Sequence, residues 1–215
     1  MLKEGIFTDI TVNAGGGGGG IRAHRAVLAA RSPVFMRMFS HDLREKELAM
    51  VDIPDMSLEA CRAFVAYLYD DGGLSQEDLL AHRCELLAAS DKYDIENLRA
   101  LCEASFVADA DAENVLERLE MAHMYRLRDL KLACLKLLFE FRKVKEIQED
   151  FDGFVKTADE DLVAEITKFQ KDFDELDKLK LKPDAEQIFT WDRLWIEVPF
   201  DLAVLYSWYY MHPYI

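Results

Sequence analysis

The sequence predicts an α+β fold, a small three-stranded sheet surrounded by helices and followed by an all-α extension. Three observations predict it. Short runs rich in Ile, Thr and Val alternate with period two before residue 54. From Ser57 onward the apolar period lengthens to three and four. Helix-starting and helix-stopping residues then punctuate the chain into its last quarter.

The first strand is expected over Phe7–Asn13 and the second over Ile21–His24. Between them runs Gly15–Gly20. A phosphate-cradling loop ends in Gly-Lys-Ser or Gly-Lys-Thr and opens a helix. This run ends in Ile21-Arg22-Ala23-His24, which is strand-like, so a flexible hairpin connection is expected. A helix follows over Arg25–Ala30. Ser32-Pro33 then supplies an N-cap and a proline at the first helical position, starting a second short helix with Val34, Met36, Met38 and Phe39. Ala49–Ile53 alternates again as a third strand, stopped by Pro54.

Cys61, Phe64, Val65 and Leu68 then recur at helical spacing until Gly72-Gly73. A longer helix is expected over Gln76–Lys92. Asp94 is expected to cap the next, with Leu98, Leu101, Cys102 and Phe106 inward. Two further helices are expected, Ala112–Met124 and Leu127–Arg142, the second with Leu130, Cys134, Leu137, Leu138 and Phe141 inward. A short segment with Phe151 and Phe154 precedes a last helix from Glu160. Its Leu162, Ile166, Phe169, Phe173 and Leu176 keep heptad spacing for only two heptads, too few for a coiled coil, so it is read as packing on the preceding pair. Lys182–Ile215 holds all three tryptophans and Tyr206, Tyr209, Tyr210 and Tyr214, with no clean period. The expected organisation is therefore residues 1–108, 109–178 and an aromatic tail, 179–215.

Composition narrows the class. Of 215 residues 51% are apolar and 31% charged, a globular rather than a disordered balance. The formal charge of -15 repels phosphate, which argues against nucleic acid as a partner. The start, MLKEGIFTDI, lacks the apolar core of a secretory signal. No apolar stretch reaches the roughly 20 residues of a membrane span. A cytoplasmic or nuclear location without a membrane partner is expected. Cys61, Cys84, Cys102 and Cys134 lie far apart with no Cys-x-x-Cys pair, so free thiols are expected and no zinc set is legible. His24, His41, His82, His123 and His212 are scattered, with no nucleophile–base–orienter pattern. Neither catalytic residues nor a cofactor are expected, and His24 is read as holding the strand–helix junction.

Asp9-Ile10-Thr11-Val12, then Ile21 through Phe35 with its Ala23-His24-Arg25 and Arg31-Ser32-Pro33-Val34-Phe35 steps, then Met38-Phe39, resemble the BTB/POZ domain. Ala88-Ala89-Ser90-Asp91-Lys92-Tyr93, with Leu98 and Cys102, is similar to that family's last core helices. The resemblance covers about Phe7 to Ala108, and its wording looks most like plant members. The helices after Asp111 resemble the BACK-like extension that follows many such domains.

The resemblance implies a protein-interaction adaptor rather than an enzyme. It implies a substrate-recognition subunit of a cullin-3-RING ubiquitin ligase, with the cullin-3 scaffold and an unknown substrate protein as partners. The alternative is a homo- or heterodimerisation module or transcriptional co-regulator. Family members that bind cullin-3 carry an apolar-x-Glu signature after the Met-Phe helix, and Leu43-Arg44-Glu45 stands there. Phe39 and Tyr93 fall at the same surface by analogy, although Tyr93 reads equally as a core tyrosine. The helix pair after Asp111 would extend that surface. Asp9 and Arg25 match an acid and a base that approach each other near the family's dimer interface. The other reading is that they fix strand to helix within one subunit. Only Met1–Gly5 precede the first strand, where stable dimers of the family carry a helix, so a weakened strand exchange or a missing upstream segment is expected.

Overall fold

The computed structural model describes residues 5–15, 19–40, 49–69, 74–139, 145 and 147–180. Its strands are β1 (Ile10–Ala14), β2 (Gly20–Ala23) and β3 (Met50–Ile53). They form one sheet in the order β2-β1-β3. β2 runs antiparallel to β1 with Ile10 opposite Ala23, and β3 runs parallel to β1 with Val12 opposite Val51. Period two puts Ile10, Val12, Ala23, Val51 and Ile53 on one face, and all five are buried.

The parallel pairing needs a crossover. It carries β2, α1 (Arg25–Arg31) and α2 (Pro33–Ser40). Beyond β3 come α3 (Leu58–Tyr69), α4 (Gln76–Lys92) and α5 (Glu96–Ala108). α3 packs on β1, α1 and α4, and its Ala60, Cys61, Phe64, Val65 and Leu68 fill the centre. Then come α6 (Val115–Met124), α7 (Arg128–Phe139), α8 (Gln148–Thr157) and α9 (Glu160–Lys180). The chain divides into two compact units, Met1–Gln170 and Lys171–Ile215. The second is described only as the end of α9.

The expected elements are present, with instructive shifts. β1 starts three residues late, because Gly5 and Phe7 both take left-handed backbone (φ 58° each) and turn the chain before Ile10. Asp94 does not cap α5, whose N-cap is Ile95. Asp94 instead takes a left-handed φ of 56° and closes α4, with its N–H on the Asp91 carbonyl and the Ile95 N–H on the Ser90 carbonyl. Leu101 is 38% exposed rather than inward, because α5 turns Leu98, Cys102 and Phe106 to the core. In α7 Leu135 and Phe139 are buried where Leu137 is only half-buried. Phe151 and Phe154 belong to a full helix, α8. Gly72-Gly73, Phe141 and the aromatic tail from Lys182, for which the sequence raised expectations, lie outside the described residues.

The expected flexible glycine connection is tightly specified where it is described. A Cβ on Gly15 would lie 2.2 Å from the Pro54 carbonyl oxygen, and one on Gly20 would lie 2.2 Å from Cγ2 of Thr11. The run opens and closes against packed neighbours.

A clasp ties α4, α5 and α6 together. Arg118 is 6% exposed; it donates to the Phe106 carbonyl (2.8 Å) and pairs with Asp109 (2.9 Å). Arg83 pairs with the other oxygen of Asp109 (2.7 Å), and both guanidiniums lie over the Phe106 ring. Removing the shared carboxylate leaves a buried cation partly unpaired, which is costly even though Asp109 itself is half-exposed. Asp109→Ala is expected to lower unfolding free energy by about 2 kcal/mol, measured by urea titration. A change below the error of the titration would show that the clasp contributes nothing.

Candidate partner-binding surface

The surface is built on Ser32, between α1 and α2. Its extended backbone (φ -141°) separates the two helices. Its hydroxyl accepts from the Phe35 N–H (3.1 Å), capping α2, and donates to the Tyr93 carbonyl (2.6 Å) at the end of α4. One fully buried hydroxyl thus sets the start of α2 and bolts it to a distant helix.

Aromatic packing repeats the bolt. The Tyr93 ring stacks on Phe35 (4.4 Å between centroids) and lies against Phe64 (5.5 Å). Phe35 stacks in turn on Phe39 (5.9 Å). Tyr93 is 2% exposed, and burial pushes its hydroxyl well above the usual tyrosine range. Of the two readings of Tyr93, its position is the core one. It packs beneath α2, against Phe35 and Phe64. Phe39 is half-buried, with the Arg25 guanidinium over its ring. Outward from this stack α2 presents Met36, 53% exposed, with Arg37 and Ser40 exposed beside it. Leu43 and Glu45 lie outside the described residues.

Asp9 and Arg25 meet within the chain through the Arg25 backbone, joining the strand segment to α1. An Asp9 carboxylate oxygen accepts from the backbone N–H of Arg25 (2.8 Å). His24, the N-cap of α1, gives no side-chain cap, so the acid on the neighbouring strand segment supplies one. In the single chain Asp9 is exposed and Arg25 half-buried.

His24 holds the junction by other bonds. Its N–H donates to the Tyr69 hydroxyl oxygen (2.7 Å), which also lies 2.6 Å from its Nδ1, and its Nε2 meets the Ile6 carbonyl (2.7 Å). With a neutral imidazole, Nε2–H donates to the Ile6 carbonyl and the Tyr69 hydroxyl donates to Nδ1.

Sequence reasoning missed Met36 as an exposed residue and Ser32 as the bolt. Ser32-Pro33 signalled the cap, but nothing local signalled its bond to Tyr93. It also missed Met124, 67% exposed at the end of α6. Cys61, Cys102 and Cys134 are buried, which pushes their thiols up to about 11, 12 and 12, so they remain protonated at neutral pH. Among the described residues no cluster of His, Cys, Asp and Glu is arranged to hold a metal ion, and no helix is long and apolar enough to cross a membrane.

The chain belongs to the BTB/POZ domain family, whose model matches residues 1–110. It is 52% identical over 166 residues to BTB/POZ domain-containing protein At1g55760 of Arabidopsis thaliana, covering 77% of this chain and 49% of that protein. It is 45% identical over 166 residues to At1g21780 of the same plant, covering 77% and 50%. It is 32% identical over 141 residues to TD and POZ domain-containing protein 4 of Mus musculus, covering 66% and 37%. The chain thus spans about half the length of its plant relatives. BTB domains mediate protein–protein interaction and dimerisation.

Proposed function

We propose that this chain is an adaptor that seats a cullin-3 scaffold on α2 and the segment after it, bringing a bound substrate protein to a ubiquitin ligase. The observation that carries the reading is the exposed Met36 beside half-buried Phe39, on a helix locked at Ser32 that Leu43-Arg44-Glu45 follows in the sequence. A rigid base with one or two apolar side chains at its edge suits anchoring in a partner's pocket. The carboxylate of Glu45 then meets a donor on the partner or fixes the segment. Met124 offers a second apolar contact on the extension. By holding the substrate beside a ubiquitin-charged enzyme, the adaptor raises its effective concentration without doing chemistry itself.

A second reading, homodimerisation through the N-terminal edge near Asp9 and Arg25, is favoured by Phe7, 86% exposed, next to Ile6, 46% exposed. One experiment separates the two. Purified chain and its Leu43→Asp variant are compared for capture of cullin-3, with sedimentation on both. The variant is expected to lose at least tenfold in affinity, about 1.4 kcal/mol, with an unchanged sedimentation coefficient. Equal capture by both sinks the cullin assignment to this segment. A dimer that captures no cullin in either form favours the second reading.

A further inference from the structure

The helices from α4 onward repeat. The second helix of each successive pair begins at Glu96, Arg128 and Glu160, 32 residues apart each time. The same spacing relates Leu98, Leu130 and Leu162, and also Cys102, Cys134 and Ile166, all of them buried. In the first helices it relates Leu87 to Leu119, both fully buried, and to half-buried Phe151.

The turns of the first two pairs are closed alike. Tyr93-Asp94-Ile95 and Tyr125-Arg126-Leu127 each place a non-glycine residue in left-handed backbone, at φ 56° and 55°. Ile95 donates back to the Ser90 carbonyl and Leu127 to the Ala122 carbonyl, each at 2.8 Å. Links between pairs also recur at one position. Arg99 donates to the Tyr125 carbonyl of the second pair, and Lys131, 32 residues later, reaches Glu165 of the third (2.7 Å). Phe139 of the second pair packs on Phe151 and Phe169 of the third (6.2 and 6.1 Å).

The third pair departs as an end unit should. α8 has no fully buried residue, and Ala158 ends it in extended backbone. The exposed positions of α9 through residue 170 carry Glu, Asp, Lys, Thr and Gln, with one alanine. A stacked repeat needs such a polar terminal copy, because its outer face has no neighbour to cover it.

We infer that α4–α9, through residue 170, is one stacked array of three 32-residue helical hairpins. Its first copy is the last hairpin of the BTB domain and its third is the cap. The extension is then not a separate domain behind a boundary near residue 110. It continues a unit that starts inside the BTB domain, and it is stabilised by nearest-neighbour contacts with that domain's own helices.

Hydrogen exchange on the full chain tests this, with Leu130→Ala in the middle hairpin. The array predicts exchange about tenfold faster or more at α5 amides and at α9 amides up to residue 170, with β1–β3 amides little changed. Acceleration confined to residues 111–139 would overturn the inference. Should that variant unfold, Arg99→Gln and Lys131→Gln replace it. Each is expected to accelerate exchange in the next hairpin, around Tyr125–Leu127 and in the first turns of α9 respectively. No change in those neighbours would equally overturn it.

Discussion

Phe35→Ala is expected to lower the unfolding free energy by about 4 kcal/mol, the largest single-residue loss around the start of α2. Phe35 has no exposure and joins α2 to the end of α4. Its ring stacks on Tyr93 from the end of α4 and on Phe39 from its own helix, and its N–H is the donor that Ser32 caps. An alanine removes the ring and leaves a cavity between α2 and α4 that backbone held by Ser32 cannot collapse to fill. Urea denaturation with the slope checked for constancy measures the loss. The cost of the cavity should also appear as faster exchange in α2. A loss under 1.5 kcal/mol would mean that the stack holds nothing rigid, and the case for α2 as a pre-formed docking edge would fall with it.

Gly15→Ala is expected to cost about 3 kcal/mol, from one added methyl group at a position the sequence presents as linker. The added carbon would sit 2.2 Å from the Pro54 carbonyl oxygen and 3.1 Å from the Met56 carbonyl oxygen, both backbone atoms that no rotamer change removes. The Gly15 N–H donates to that same Met56 carbonyl (2.9 Å), so relieving the clash strains this bond and shifts the end of β3 from β1. Thermal melting of the variant beside wild type checks it. A melting temperature within a degree of wild type would show that the Pro54 turn moves freely.

Much of the fold was legible. Ser32-Pro33, the alternation of β1 and β3, and the helical spacing of Cys61, Phe64, Val65 and Leu68 each act over a few residues, so local pattern found them. The resemblance named the family from the same short stretches. Less of the surface was legible. Phe39 is half-buried on α2 and Tyr93 is buried beneath it, and the expectation placed on Leu43 and Glu45 rests on the sequence alone. Asp94 shows the limit well. An acid before a helix reads as a cap, yet the same residue tolerates left-handed backbone, and the close of α4 used that property instead. The 32-residue spacing stood in the sequence throughout. Its Leu-x-x-x-Cys and Leu-x-x-x-Ile steps are shared by any amphipathic helix, so only stacking sets them apart.

The order of letters determined by itself where strands and helices form and which of their faces shun water, because those preferences are settled between near neighbours in the chain. Folding in three dimensions decided which faces meet. It placed Tyr93 beneath Phe35, brought the Ser32 hydroxyl to a carbonyl 61 residues away, and pressed Gly15 against Pro54. Those pairings depend on side chains far apart in sequence filling one close-packed volume, which no local period encodes.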